Sequence, residues 1–171
     1  MATAHDVKAK RLITFPPAAQ LTGNDRDYKI TSVDKVVDGD TVDVTIDLGF
    51  CIKHSVRVRL RDIDTPEVRT ADPVEKEHGI MAKNAVAGLL KHECILRCDS
   101  TDNRDKFGRV LGTIITKNCG NASTADLGYD VDVNMYLFRN HYAVSYAGQS
   151  KDEIIEAHLQ NRQIRQTYHE E

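Results

Sequence analysis

The sequence of 171 residues lacks the features that mark several specialised classes of protein. No stretch reaches the roughly 18 to 20 apolar residues that a membrane-spanning helix needs. The first residues lack the apolar segment of a secretory leader, and the chain has no internal repeat and no low-complexity tract. We therefore expect one domain with its own core and no membrane attachment. We also expect a cytoplasmic chain that begins near Met1, although removal of a leader would leave the same sequence.

A zinc-binding cysteine pattern and an excess of basic residues are also missing. The four cysteines have spacings that match no zinc site, and we expect reduced, mostly packed thiols: Cys51, Cys94, Cys98 and Cys119. Lys and Arg total 23 against 26 Asp and Glu, which gives a net charge of −3. Since non-specific nucleic-acid binders are more often basic, the charge counts mildly against such a partner, and any basic surface must be local.

Alternating polarity predicts a β-rich domain over residues 28–148, preceded by an extended arm over residues 1–27 and followed by a helical tail over residues 149–171. Apolar residues at every second position are typical of half-buried strands. This pattern predicts three strands in succession: residues 28–37, 41–50 and 55–63.

The remaining elements are a helix, two strands and two further helices. Helical spacing covers residues 80–91, but the helix start is ambiguous, because Asp72-Pro73 resembles a cap with a first-turn proline and Gly79 favours a later start. Ser150 and Glu153 form a capping box, after which we expect about two helical turns and then an exposed or frayed end. The other elements are strands over 94–98 and 109–116 and a short helix over 133–140, with a polar loop over 117–130. This order is typical of a five-stranded Greek-key barrel of the OB type, and mixed α+β domains share it.

The segment "DGDT" places Asp38, Gly39 and Asp40 inside a strand-forming region. A buried carboxylate is costly unless it is paired or bound to a metal. Asp40 has the same parity as Val42, so it would project from the core face at the open end of its strand, within reach of water or a cation. Alternatively, Asp38-Gly39 is a type I′ hairpin turn that Asp40 only flanks.

Two later segments, "RLRDIDTPE" and "DKFGR", combine charge with turn formers. Pro66 biases Thr65 away from helix, and the resulting turn can aim the Asp64 carboxylate and a backbone carbonyl at one point, as hard cations such as Ca²⁺ require. Arg109 follows the turn former Gly108, and a guanidinium there can bind phosphate bidentately. The alternatives are a solvated strand face for the arginines of the first segment and a charged hairpin loop for the second.

In this order, "DGDT", "RLRDIDTPE" and "DKFGR" resemble the staphylococcal-nuclease (thermonuclease-like) family over roughly residues 29–146. The segments "HGIMA" and "VNMYLFRNHYAVSY" resemble it as well. The resemblance implies an α+β fold, an OB-type five-stranded barrel with about three helices. It also places the first helix start near Gly79 and leaves residues 68–78 as a long mobile loop.

The resemblance further implies a monomeric, Ca²⁺-dependent nuclease that cleaves DNA or RNA with little sequence preference and leaves 3′-phosphate ends. The implied roles are Asp40, Asp64 and the Thr65 carbonyl as calcium ligands, Glu67 as the group that positions or deprotonates water, Arg59 and Arg109 as phosphate ligands, and Asp38, Lys106, Phe107 and Tyr146 in supporting or substrate-binding positions. Two alternatives are a non-catalytic module that binds nucleic acid or protein, and a structural OB domain. A nuclease without a leader would act inside a cell, as in a phage, a plasmid or a defence role.

Two of the chain's departures from the family are single residues. Phe107 stands where tyrosine is common, so a hydroxyl is lost while ring stacking is kept. His141 stands where glycine commonly ends the helix, and we expect Asn140 to take the left-handed cap instead.

Overall fold

The computed structural model describes residues 26–98, 104–117 and 130–167. The predicted arm up to residue 25, Cys119 and most of the loop predicted over residues 117–130 lie outside the described residues. In chain order the elements are β1 (Arg26–Asp38), β2 (Thr41–Asp47), β3 (Lys53–Leu60), β4 (Ile63–Asp64), α1 (Pro73–Leu89), β5 (Cys94–Cys98), β6 (Val110–Thr116), β7 (Val131–Asp132), α2 (Val133–Arg139), β8 (Val144–Ser145) and α3 (Lys151–Thr167).

Five of these strands close into a barrel. The antiparallel ribbon β1–β2–β3 continues through β5, which pairs with β1, and then through β6, which pairs with β5. A parallel pairing of β3 with β6, in which Val58 lies opposite Val110, closes the circle. Five strands and three helices in this order confirm the predicted OB-type α+β fold.

Alternation along the strands fills the barrel interior. In β2, Val42, Val44 and Ile46 are buried, whereas Asp43 and Thr45 between them are partly exposed. Strand β5 follows the same rule, so its two cysteines pack inside the core as predicted for thiols, while Cys51 is exposed. Because side chains in a strand alternate between faces, the two-residue period places one face in the core and the other toward solvent.

Helix α1 begins at Pro73, and the expected start near Gly79 after a loop over residues 68–78 is wrong. The side chain of Asp72 accepts a 2.9 Å hydrogen bond from the amide of Val74. A proline in the first turn loses no helical hydrogen bond, so Asp72-Pro73 is a sufficient helix start. Gly79 has a packing role instead, since a Cβ there would lie 2.7 Å from the Pro66 carbonyl oxygen.

Helix α2 carries an aspartate cap at its start and ends in a left-handed residue. The carboxylate of Asp132 accepts a 2.9 Å hydrogen bond from the Met135 amide. At the other end Asn140 has a φ of −94°, whereas His141 has a φ of 58°. The expectation that Asn140 takes the left-handed position is therefore wrong. His141 itself adopts the left-handed conformation, although it is not a glycine.

Helix α3 runs for 17 residues, so the expected fraying after two turns is wrong. The predicted capping box is present, because the Ser150 amide donates a 2.9 Å hydrogen bond to Glu153. Its later turns are held by polar contacts that an apolar pattern does not show; for example, Asn161 donates a 3.0 Å hydrogen bond to the Ala143 carbonyl. No helix in the described ranges is long and apolar enough to cross a membrane.

Candidate active site

A two-residue turn, Gly39-Asp40, joins β1 to β2, with Asp38 opposite Thr41. Neither turn residue has a positive φ, so the expected type I′ turn at Asp38-Gly39 is wrong. Glycine is required for a steric reason, because a Cβ on Gly39 would lie 2.7 Å from the Ala82 Cβ and 2.9 Å from the Thr65 hydroxyl. The close approach places the next residue, Asp40, against the loop that carries Thr65.

The carboxylate of Asp40 is buried, with 5% of the residue exposed. One oxygen accepts a 2.9 Å hydrogen bond from the Thr41 hydroxyl. The other accepts hydrogen bonds of 3.2 Å from both the amide and the hydroxyl of Thr65, and it forms an ion pair with Arg59. Burial of this charge is therefore accompanied by the partners that it needs.

Arg59 bridges the two acidic residues that were predicted as cation ligands. One terminal nitrogen pairs with Asp40, and the other donates a 2.7 Å hydrogen bond to Oδ1 of Asp64. Only 14% of the Arg59 side chain is exposed, so Arg59 does not lie on a solvated strand face.

Asp64 has a second partner that the sequence did not indicate. Its Oδ2 lies 3.0 Å from Nε2 of His158, which belongs to α3. Burial acts to raise the pKa of Asp64, but the hydrogen bond from His158 and the charge and hydrogen bond of Arg59 outweigh it, so the pKa lies below its usual value. Asp64 is thus held as an anion between two donors.

Glu67 lies three residues beyond Asp64 and remains exposed to solvent. Its backbone packs against α1 at Gly79, where a Cβ would come within 2.8 Å of the Glu67 carbonyl oxygen. Partial burial raises the pKa of Glu67, the charges of Asp38 and Asp64 raise it further, and Arg59 opposes them. A carboxylate with a raised pKa is a better proton acceptor than a free one when it is ionised.

Arg109 is positioned by Asp105, a residue that the sequence analysis did not assign to the site. The Asp105 side chain accepts 2.9 Å hydrogen bonds from the amides of Phe107 and Arg109 and a 2.6 Å bond from Nε of Arg109. Burial opposes ionisation of Asp105, but these bonds outweigh it and its pKa is lowered. The spacing of four residues within "DKFGR" was the available signal, and Gly108, with a φ of 80°, completes the turn.

One cleft of about 900 Å³ collects most of the predicted side chains. Its lining includes the predicted residues Arg59, Asp64, Thr65, Glu67, Lys106, Phe107, Arg109 and Tyr146, together with Asp105 and His158. Asp38 and Asp40 do not line it, and Asp40 instead contacts two residues that do, Arg59 and Thr65. Because the guanidinium groups of Arg59 and Arg109 and the exposed carboxylate of Glu67 share this cleft, it can bind an anion and accept a proton beside it.

The donor set around Asp40 suits a hard cation in its chemistry. Carboxylates from Asp40 and Asp64 and the carbonyl of Thr65 are the ligand types that Ca²⁺ takes in proteins. In addition, Oδ1 of Asp38 is buried without a hydrogen-bond partner among the described residues, and a nearby cation would stabilise it. Within the described ranges no three His, Cys, Asp or Glu side chains are grouped to hold a metal, so the set would depend on the carbonyl and on water.

Comparison with known proteins yields one family and two relatives. The sequence model of the family described as staphylococcal nuclease homologue matches residues 57–167, so the Asp38 to Asp40 turn lies before the match. The protein named ParB from Escherichia coli is 38% identical over 103 residues, which is 60% of this chain and 46% of that protein. Endonuclease YhcR from Bacillus subtilis is 29% identical over 120 residues, which is 67% of this chain and 9% of that protein. The chain thus spans less than half the length of either relative.

Proposed function

Because the chain belongs to the family of staphylococcal nuclease homologues, we propose that it is a nuclease that hydrolyses phosphodiester bonds in DNA or RNA. The observation that carries this proposal is the shared cleft of Arg59, Arg109 and Glu67. The likeness to a protein named as an endonuclease is in keeping with it.

The two arginines would stabilise the negative charge that grows on phosphorus as water attacks. Arg59 is held by Asp40 and Asp64, and Arg109 is held by Asp105, so both guanidinium groups are fixed before substrate binds. Fixed charges of this kind lower a barrier most when they face the position where charge develops. Because both arginines would bind the phosphate and we assign no residue to a base edge, we propose cleavage with little sequence preference.

Glu67 would position the attacking water and accept its proton. The water oxygen would bond to phosphorus, the P–O5′ bond would break, and the 5′ oxygen would leave as a hydroxyl after taking a proton from solvent, so 3′-phosphate ends would remain. The exposed carboxylate stands at the cleft wall beside Asp64, where water can reach it. Lys106, Phe107 and Tyr146 would contact the substrate strand. Phe107, 73% exposed, offers a ring on which a base can stack.

Asp40, Asp64 and the Thr65 carbonyl would hold Ca²⁺, with Asp38 in a supporting position. When bound, the ion would supply positive charge to the phosphate and acidify water. The protein's own residues keep their separate tasks: Arg59 and Arg109 bind phosphate, and Glu67 handles the proton. We propose that the chain acts as a monomer on nucleic acid inside a cell.

A nuclease assay on matched single- and double-stranded DNA and RNA tests this function. We expect degradation with millimolar Ca²⁺ and none in excess EGTA. Glu67→Gln and Arg109→Ala should each lower kcat by about 100-fold or more. Arg97→Ala is the matched control, because Arg97 lies on β5, pairs with Asp27 and does not line the 900 Å³ cleft. Activity that persists in EGTA, or wild-type rates in both site variants, would refute the assignment.

A non-catalytic module that binds nucleic acid or protein is the second candidate. The observation in its favour is that Arg59 and Arg109 are already engaged by carboxylates, which weakens their attraction for phosphate. Retention of a labelled oligonucleotide on the protein with Ca²⁺, without any cleavage over a broad pH range, would support the module over the enzyme.

A further inference from the structure

We propose that His158 of α3 is a positioning residue that fixes the Asp64 carboxylate in the orientation needed to bind a cation. The inference rests on the proposed function, since it assigns a role toward the same site. It also makes α3 part of the active site and not only a cover for the barrel.

The geometry around Asp64 leaves its carboxylate little freedom to rotate. Arg59 donates to Oδ1 at 2.7 Å, and His158 Nε2 contacts Oδ2 at 3.0 Å. The two donors come from different elements, β3 and α3, and approach different oxygens. Oδ1 is thereby kept on the side of Arg59, whose guanidinium also contacts Asp40, so the two carboxylates lie on either side of one cationic group.

His158 is itself held firmly, because it is buried, with 8% of the residue exposed. Anchors on α3 follow it at helical spacing. Asn161 donates a 3.0 Å hydrogen bond to the Ala143 carbonyl, and Arg165 donates a 2.9 Å bond to the Asn140 carbonyl. Residues three, four and seven positions apart share one helix face, so the helix face that contacts the end of α2 also presents His158 to Asp64.

Two further contacts tie this face of α3 to the domain. The guanidinium of Arg165 stacks 3.9 Å from the ring centroid of Tyr142, and Arg162 lies 3.6 Å from the carboxylate of Asp72, the cap of α1. None of the contacts made by Asn161, Arg162 and Arg165 involves a predicted site residue. Docking of α3 and positioning of Asp64 can therefore be separated by mutation.

Residues that hydrogen-bond to metal ligands matter for metal binding, and losing such a partner typically costs about 10- to 100-fold in metal affinity or activity. Without His158, Oδ2 of Asp64 loses its donor and the carboxylate can turn about its χ2 axis. We therefore expect His158→Ala to raise the Kd for Ca²⁺ at least about tenfold. His158→Gln should restore most of the affinity, because its amide nitrogen can donate to the same oxygen.

The experiment measures Ca²⁺ binding to the full chain by calorimetry, with kcat, KM and urea unfolding followed in parallel. Asn161→Ala is the matched control: it removes a docking hydrogen bond one turn away and leaves Asp64 untouched. We expect Asn161→Ala to lower stability with the Kd for Ca²⁺ unchanged, and His158→Ala to raise that Kd and lower kcat more than it changes KM. Equal Ca²⁺ affinities for wild type and His158→Ala, tighter binding by the variant, or an equal loss in Asn161→Ala would overturn the proposal.

A separate readout distinguishes this inference from the proposed function. In ¹⁵N NMR spectra, Asp64→Asn should shift the Nε2 signal of His158 strongly and leave that of the exposed His92 in place. A wild-type protein that neither binds Ca²⁺ nor cleaves nucleic acid contradicts the proposed function, and the imidazole shift then decides whether His158 holds Asp64. An unshifted Nε2 signal would exclude the positioning role whatever the activity.

Discussion

The two ends of strand β2 differ in burial, and the difference is opposite to what the hydrophobicity of their residues alone predicts. At its start the turn Gly39-Asp40 is buried and carries a charge, with Asp40 5% exposed. At its end the loop toward β3 presents apolar side chains to solvent, with Phe50 98% and Ile52 56% exposed. Burial at the first end follows the availability of partners, because Asp40 contacts Arg59 and Thr65. At the other end the side chains of Phe50 and Ile52 remain mostly exposed.

The backbone of the two ends differs as well. In the far loop three successive residues adopt positive φ angles, namely Gly49 at 82°, Phe50 at 52° and Cys51 at 63°. The buried turn has none. Left-handed backbone is costly for residues other than glycine, so the exposed end is constrained by conformation and the buried end by space. Substitutions at both ends of β2 and midway along it test this contrast.

The largest effect is expected from Arg59→Met, which removes the cation between Asp40 and Asp64. Two partly or fully buried carboxylates would then face each other with their shared counter-charge gone. Removing one partner of a buried ion pair typically costs about 3 to 5 kcal/mol, and we expect a loss of that order in urea unfolding at pH 7 without added metal.

Phe50→Ser, at the opposite end of β2, is the control for this change, and it should alter stability by about 0.5 kcal/mol or less. Adding Asp40→Asn to Arg59→Met should recover part of the loss, since one uncompensated charge is removed. Similar stabilities for Arg59→Met and Phe50→Ser would show that the buried end is not held by its charges.

Intermediate effects are expected from alanine at the two glycines that flank β2. Gly39→Ala should cost about 1 to 3 kcal/mol by overpacking, since its Cβ would lie 2.7 Å from that of Ala82. Gly49→Ala should cost about 1 to 2 kcal/mol through its left-handed φ, because the space around it is open.

Second-site and alternative substitutions should also distinguish the two glycines, and thermal unfolding measures their effect on stability. Ala82→Gly should recover only part of the loss in Gly39→Ala, because the close contact with Thr65 remains, and should recover none of the loss in Gly49→Ala. Gly49→Asn should be tolerated, because asparagine accepts the left-handed region, and Gly39→Asn should not be. If Ala82→Gly rescued both variants, the distinction between space and conformation would be lost.

The smallest effect is expected midway along β2, where Arg57 donates two hydrogen bonds to Asp43, at 2.6 and 2.8 Å. The hydrogen bond from Arg57 is the main cause that lowers the pKa of Asp43. A lowered pKa stabilises the fold above the pKa of the unfolded chain, and this stability is lost as pH falls through the lower folded value.

Asp43→Asn should therefore reduce stability slightly at pH 7, less than either glycine change, because exposed pairs contribute little. The difference from wild type should shrink with salt and disappear in strong acid. Unfolding curves at pH 7 and at pH 2.5, each at low and high salt, measure both trends. A difference that grows on acidification would contradict the assigned sign.

Much of the fold followed from local patterns in the sequence. Alternation in residues such as Val42 and Val44 predicted the strands, because successive side chains of a strand point to opposite faces, one buried and one exposed. Helix boundaries were less well predicted: the Asp72-Pro73 start was set aside in favour of Gly79, and α3 was predicted too short. In both cases the contacts that set the helix boundary are polar or steric, so they leave little apolar periodicity in the sequence.

The sequence by itself determined the strands and the order of "DGDT", "RLRDIDTPE" and "DKFGR", because strand patterns and turn residues act over a few neighbouring positions, and the resemblance carried by that order implied the barrel. Only the tertiary structure decided that Arg59 bridges Asp40 and Asp64, that Asp105 holds Arg109, and that His158, 94 positions beyond Asp64, completes the group. The physical reason is that ion pairs and hydrogen bonds depend on distance in space, and closing the barrel and docking α3 create those distances.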